Sequence, residues 1–371
     1  MGQVWLYDGR ALFPELFKDV SFGAFRIAQA MGDELLLDFT HHNYLERQDV
    51  RDELGDTESA QIGELFESTG IWLNRSELAH RSVARQIEFQ RSDGSAGCEQ
   101  APQAVSAIDP FGTPRFETRL QQEGSSEVSG TPALPDDPRV REVHYPSGDL
   151  ALKAWLALPE GPGPFPAVIY LHGGFSLSAG DFADAEAFLE AGFAVLLPML
   201  RSENGNPGAF ELWRGEVDDA AAASRWLAQQ PDVRAQDIFA FGHSVGGGVA
   251  AGLSLHPDAA LAGTGGSGGL YLPGVFASWS DVVPFRLDDP MEQRARLLFS
   301  NQHAMRRWHT AYVGSEDRSF YATRWVASAA ATAARHLEAE VVPGTHFSSL
   351  PEAVQRFIER ISRAASRHPQ S

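Results

Sequence analysis

The sequence predicts an α/β fold, a mostly parallel sheet with helices on both faces, preceded by a small β-rich N-terminal domain. Three observations predict it. From Val140 onward, short apolar runs of strand length alternate with helical patterns, the order that builds a sheet covered on both faces. Before residue 92 the apolar runs come in pairs separated by turn residues, which reads as hairpins. Between the two, residues 92–137 are rich in Ser, Gly, Pro and Gln, the composition of a linker that partly drapes over a neighbour. The expected organisation is therefore 1–91 as a small domain, 92–137 as linker and 138–371 as the larger α/β domain. A length of 371 residues accommodates this, at roughly 150 residues per domain.

In chain order, Phe25 to Met31 and Glu34 to Phe39 form a first hairpin around Gly32-Asp33, and Ile62 to Phe66 with Ile71 to Leu73 flank the turn residues Ser68-Thr69-Gly70. Val140 to Tyr145 and Leu150 to Leu158 form a hairpin around Ser147-Gly148-Asp149. Pro166 to Leu171 is a short apolar strand. Asp181 is the expected N-cap of a helix with Phe182, Ala185, Phe188 and Leu189 on one face, ended by Gly192. Phe193 to Leu197 is the next strand. Val217, Ala220, Ala221, Ser224 and Leu227 recur at helical spacing before Pro231. Ile238 to Phe241, Leu261 to Gly263, His309 to Val313 and Glu338 to Val342 continue the strands. Val354, Phe357, Ile358 and Ile361 mark a closing amphipathic helix.

Composition narrows the function. Hydrophobic residues at 43% and charged residues at 21% support a sizeable core. Thirty basic against 49 acidic residues give a net charge of −19, which repels phosphate backbones, so nucleic acid is not an expected partner. No apolar run approaches the roughly 18 residues of a membrane span. A start of Met1-Gly2-Gln3-Val4-Trp5 without a basic leader, and a single cysteine, Cys98, point to the cytoplasm. Lys18 and Lys153 are the only lysines. Arginine does not serve as a Schiff-base nucleophile or a base, so pyridoxal-phosphate chemistry and Ser-Lys dyads are disfavoured.

The strongest chemical signal is Gly242-His243-Ser244-Val245-Gly246, set between the strand at Ile238 to Phe241 and a helix over Val249 to Leu255. A serine on a sharp strand-to-helix turn needs small neighbours, because the backbone there closely approaches other elements; the turn exposes its Oγ. A hydroxyl needs a base, and the base needs an orienting group. Gly314-Ser315-Glu316-Asp317 and Pro343-Gly344-Thr345-His346 each follow a strand, where open α/β sheets carry their sites. The assignment is Ser244 as nucleophile, His346 as base and Asp317 as orienting carboxylate, with Glu316 as the adjacent competitor. His243 reads as support for the turn. A tetrahedral intermediate also needs preorganised donors. The glycine turn His172-Gly173-Gly174-Phe175 supplies Gly174 N–H, with Val245 N–H as its partner and Phe175 in reserve.

With these motifs the segment from Val140 to Ile361 resembles an α/β hydrolase, and more narrowly the catalytic domain of the prolyl-oligopeptidase family and the dienelactone-hydrolase-like esterases. The residues behind the resemblance are His172-Gly173-Gly174, Pro198 to Arg201, Glu216-Val217-Asp218-Asp219, Trp226-Leu227, Pro231-Asp232-Val233, the turn at Ser244, Gly314 to Asp317, and His346. The resemblance implies the same Ser244, Asp317 and His346 triad, and residues 1–91 lie outside it.

The expected function is a serine hydrolase cleaving a carboxylic ester through an acyl-enzyme, without cofactor or metal. Its substrate is a small-molecule ester or a short peptide. Esters are favoured because alkoxides leave more readily than amines, and because the residues before Val140 are too few and too unrepetitive for a peptide-gating propeller. The alternatives are a prolyl-oligopeptidase-like peptidase or amidase on short substrates and, from another class, a non-catalytic binding protein on the same fold. Phe175, Tyr271, Phe276 and Trp279 are candidates for a substrate pocket, with core packing as the competing reading. His41-His42 lacks a third metal ligand at a suitable spacing. Gly263 to Gly269 reads as a flexible connection near the site rim.

Overall fold

The computed structural model describes five N-terminal strands by their backbone, then residues 109–121, 130–271, 275–276, 279, 282–287, 289–317 and 336–366. The chain divides into two compact units: Met1–Ala107 with Leu272–Ser278, and Ile108–Tyr271 with Trp279–Ser371.

The smaller unit holds β1 (Gln3–Tyr7), β2 (Gly23–Met31), β3 (Glu34–Thr40), β4 (Gly70–Asn74) and β5 (Arg85–Glu88) in one sheet of order β4-β3-β2-β1-β5. All four pairings are antiparallel. The expected hairpin at Gly32-Asp33 is present, with Met31 opposite Glu34. The run Ile62 to Phe66 and the pair His41-His42 lie outside the described residues.

The larger unit is built on eight strands: β6 (Val140–Ser147), β7 (Leu150–Ala157), β8 (Phe165–Leu171), β9 (Ala194–Pro198), β10 (Val233–His243), β11 (Gly263–Ser267), β12 (His309–Gly314) and β13 (Leu337–Val342). Their order is β13-β12-β11-β10-β8-β9-β7-β6. β7 pairs antiparallel with β6 and β9, and the remaining pairs are parallel. The chain leaves β8 to form β9 on one side and returns to form β10 on the other. That reversal opens a crevice at the C-terminal ends of β8 and β10, where such sheets bind ligands.

Among the described residues the α-helices are, in chain order, α1 (Ala179–Glu190), α2 (Gly215–Leu227), α3 (Val245–Leu255), α4 (Pro290–Arg294), α5 (Leu298–Asn301) and α6 (Leu350–Ala365). α1 begins earlier than its sequence suggests. Ser178 is the N-cap, and Asp181 sits at the third helical position, where its carboxylate accepts the Ser178 backbone N–H at 2.7 Å. The cap-like residue was legible, but its role was displaced by three positions. Gly192, at φ +86°, closes the helix as expected.

The glycine-rich run is the larger correction. The strand is not Leu261 to Gly263; it is β11, fully buried over Gly263–Ser267, and the run is no flexible connection there. It fooled the pattern because strand propensity assumes side chains to pack. Here backbone must approach backbone and ring: a Cβ on Gly265 would lie 2.6 Å from the Phe357 ring. Absence of a side chain lets α6 lie directly on the sheet. Phe357, fully buried, sits 5.0 Å from the Phe241 ring and 6.2 Å from Phe188 of α1.

Parts of the presumed linker run over the larger unit. Phe111 is buried, with the Arg214 guanidinium 4.3 Å above its ring, and Leu120 bridges Phe285 in antiparallel fashion.

Truncating the side chain on which α1, α6 and β10 converge should be severe. Phe357→Ala is expected to lower unfolding free energy by about 3–5 kcal/mol, read from urea denaturation followed by far-UV circular dichroism. A loss under about 1 kcal/mol would mean that α6 does not close this core.

Candidate active site

β10 delivers Ser244 at φ +54°, ψ −114°, a conformation that side-chain-bearing residues rarely adopt. Its surroundings hold it there. Its N–H donates to Ser267 O at 2.9 Å, and its carbonyl accepts Gly248 N–H at 3.2 Å. Two residues on, a Cβ at Gly246 would sit 2.1 Å from the Leu171 carbonyl oxygen, so only glycine lets α3 start against the end of β8. Ser244 is partly exposed in an otherwise buried segment.

The acid and the imidazole come from the next two strand ends. The turns after β12 and β13 are tied together, with Ser315 N–H donating to Val342 O at 2.8 Å and Glu316 N–H to Gly344 O at 3.0 Å. Asp317 is buried, and its Oδ2 lies 2.8 Å from His346 Nδ1. Glu316 is exposed and is not the partner of the imidazole. His346 packs against Gly268, where an added Cβ would come within 2.7 Å of the ring. Gly268 directly follows Ser267, whose carbonyl holds the Ser244 amide. Asp317 and His346 are thus joined directly, and the imidazole and the serine meet at adjacent residues of β11's end. Among the described residues no hydrogen bond links the Ser244 hydroxyl to His346; catalytic hydrogen bonds often tighten only once substrate binds.

His243 does support the turn, as its position suggested. Its Nε2 lies 3.0 Å from the His346 carbonyl oxygen and its ring 4.9 Å from the His346 ring. That contact makes Nε2 the protonated nitrogen in the neutral ring. Burial lowers its pKa, which keeps it neutral.

A pocket opens beside the turn. Gly174, Phe175, Val245 and Gly246 contribute to its lining, as do Phe210, Leu212 and Trp213 from the connection between β9 and α2. Gly174 adopts φ +69°. Trp213 Nε1 donates to the Val245 carbonyl at 2.9 Å and so fixes the peptide beside Ser244. Of the four aromatic candidates, Phe175 lines this pocket and Trp279 stacks edge-on to it at 5.3 Å. Tyr271 is buried instead, its hydroxyl 3.0 Å from His309 Nε2, and serves the core. Phe276 belongs with the smaller unit.

His172, Arg201, Glu203 and Glu216 also line the pocket, in a set of ionic contacts to which the sequence assigned no role. Arg201 meets the buried Asp219 through Nε and one terminal nitrogen, each at 2.9 Å, and Glu211 through the other at 2.6 Å. His172 and Glu203, both buried, form an ion pair at 2.8 Å. Burial alone would lower the His172 pKa, but the Glu203 carboxylate outweighs it and lifts the imidazole to about 9. Burial pushes the Glu216 carboxyl up to about 7.

A profile of the X-Pro dipeptidyl-peptidase family, S15, matches residues 147–283. The chain is 34% identical over 111 residues to an uncharacterised peptidase of Bacillus subtilis, covering 29% of this chain and 43% of that protein. It is 37% identical over 130 residues to an uncharacterised protein of Mycobacterium tuberculosis, covering 33% and 44%. The matched stretches thus span less than half the length of these curated relatives. Among solved structures, an esterase from Thermogutta terrifontis superposes with a TM-score of 0.50 at 20% identity, over 64% of this chain and 98% of that one. The acylaminoacyl peptidase of Pyrococcus horikoshii gives 0.50 at 15% identity, over 60% and 40%.

The His172–Glu203 pair makes stability depend on pH. An unfolded histidine loses its proton near 6.5, whereas folded His172 keeps it to about 9. The stabilisation is complete below the lower value and lost as pH rises through the upper one. Between pH 7 and 9 the unfolding free energy should fall by on the order of 1–3 kcal/mol. Urea titrations at several pH values test this, and the slope should flatten in a His172→Gln, Glu203→Gln double variant.

Proposed function

From the α/β-hydrolase fold of its larger unit, we propose that this chain is a serine hydrolase with Ser244, His346 and Asp317 as its triad. The observation that carries this reading is the 2.8 Å contact of buried Asp317 with His346, at a strand end adjoining the strained Ser244 turn. In the reaction Ser244 Oγ attacks the substrate carbonyl while His346 Nε2 takes its proton. Asp317 holds Nδ1–H and stabilises the imidazolium that forms. The Gly174 and Val245 amides receive the oxyanion. His346 then returns the proton to the leaving group, and water resolves the acyl-enzyme by the same route.

The preferred substrate is a carboxylic ester of a small molecule, because an alkoxide needs less assistance than an amine. A peptidase acting on short substrates is the second reading, favoured by the match to the X-Pro dipeptidyl-peptidase family. The place of action is the cytoplasm, in keeping with the lone cysteine. Among the described residues no helix is long and apolar enough to cross a membrane.

A fluorophosphonate should label Ser244 in the folded protein, and Ser244→Ala should remove both label and turnover. Asp317→Asn should lower kcat by about 10³–10⁴-fold by orienting the imidazole wrongly. Absence of a Ser244 adduct would return the chain to a binding role. Rates on an aryl ester and an aminoacyl anilide rank the two substrate readings: amide turnover within about tenfold of ester turnover, or roughly 1.4 kcal/mol, would favour the peptidase.

A further inference from the structure

Among the described residues, the most exposed large apolar side chain stands next to the imidazole of the proposed triad. Phe347, which directly follows His346, is 75% exposed, against 46% for Leu134 before β6 and 37% for Val341 in β13. Single exposed apolar residues are ordinary on protein surfaces. Exposure alone therefore carries nothing here; the place of the ring and the way it is held do.

The Phe347 backbone is locked in the turn that leads into α6. Thr345 N–H donates to Ser348 Oγ at 2.9 Å, Ser349 N–H to Thr345 O at 3.2 Å and Leu350 N–H to Phe347 O at 3.2 Å. Two rings then hold the side chain. The His346 imidazole meets it edge to face at 5.1 Å, and the His243 imidazole lies at 5.7 Å, both within the favourable range for aromatic pairs. One flank of the phenyl ring is thus occupied by the two imidazoles, and the remainder is open beside the site.

The proposed chemistry says what comes to that face. Gly174 and Val245, whose amides are the proposed oxyanion donors, line the pocket walled by Phe210 and Trp213, to which the His346 turn contributes no described residue. That pocket suits the acyl group. The leaving group belongs on the imidazole's side: the bond from the acyl carbon to the departing oxygen or nitrogen breaks as that atom takes the proton His346 received from Ser244, so the two lie within hydrogen-bond reach. A substituent just beyond the departing atom arrives at a ring centred 5.1 Å from the imidazole. We propose that Phe347 is a specificity-determining residue on the leaving-group side, its open face packing against an aromatic or bulky apolar alcohol or amine. This rests on the serine-hydrolase reading of the site. A phenyl ring selects by apolar area and stacking, so small or strongly hydrated leaving groups gain little from it.

The test compares methyl and benzyl propionate, which release alcohols of comparable acidity and pass through the same propionyl-enzyme, so that a difference in kcat/KM belongs to the leaving side. The benzyl ester should exceed the methyl ester by at least about fivefold. Phe347→Ala should bring that ratio toward one and Phe347→Tyr should keep it, while the ratio of methyl butyrate to methyl acetate, set on the acyl side, stays the same in Phe347→Ala. A benzyl-to-methyl ratio near one in the wild-type chain overturns the assignment, and so does a preference that survives in Phe347→Ala. Equal slowing of both esters by Phe347→Ala also overturns it, because the ring would then only support the imidazole. In these three cases the hydrolase reading stands. Turnover of neither ester removes the assignment as well, and the presence or absence of a fluorophosphonate adduct on Ser244 then tells whether the hydrolase reading survives or falls with it.

Discussion

The site depends on one close approach, the start of α3 against the end of β8. Gly246 lies so near the Leu171 carbonyl that any side chain would collide with it. That contact fixes where α3 begins, and the chain between β10 and α3 must then turn within a single residue. Ser244 is that residue, held at φ +54°. Such a conformation costs on the order of 1–3 kcal/mol and persists only where neighbours over-determine it. Here the neighbours are β8 on one side and the Ser267 carbonyl on the other. The same squeeze that strains the serine also orients it.

Strain is concentrated in one further place. Apart from Ser244, the described non-glycine residues with positive φ are Ser202, Asn204, Leu212 and Trp213, all in the connection from β9 to α2. Leucine and tryptophan have no local reason to adopt that region. The connection is pinned from several directions. Asn204 exchanges hydrogen bonds with both backbone groups of Leu177 at 2.9 Å, Asn206 donates to Met199 O, and Arg201 grips Asp219 of α2. This pinning places Phe210, Leu212 and Trp213 in the pocket wall and aims the Trp213 indole at the Val245 carbonyl. The pocket is therefore as preorganised as the turn it serves.

How much of this was readable follows from what kind of signal each part leaves. The strands and helices of the larger unit bury apolar faces, so periodicity revealed β6 to β10, α1, α2 and α6 within a few residues. The turns bearing Ser244, Asp317 and His346 announce themselves by glycines at strand ends. β11 was misread because it is held by the absence of side chains, and a run of glycines carries no hydrophobic period. Arg201 and Glu216 stood among the residues of the family resemblance but without a role, and Glu203 left no trace, since a buried ion pair and a surface charge look alike in sequence. His243 was legible only by its position next to the serine; its hydrogen bond to the His346 carbonyl needed the fold.

The two halves of the site obey different physics. The groups of the proposed triad and oxyanion hole sit on turns at the ends of β8, β10, β12 and β13, and the sheet's hydrogen bonds set their spacing. Moving any one of them requires slipping a strand against its neighbour, which would turn its buried face outward. The pocket wall is a connection between β9 and α2, held by side-chain hydrogen bonds and ion pairs rather than by a ladder. Changing residues there reshapes the cavity without touching strand register. The proposed chemistry is thereby tied to the part of the molecule that tolerates least change, and the proposed substrate pocket to the part that tolerates most. The buried ionic groups under the wall reconcile the two. The Arg201–Asp219 contact anchors the variable connection to α2, and breaking one member of such a buried pair typically costs about 3–5 kcal/mol. The wall can vary at its aromatic tips, but its base is fixed as firmly as the sheet.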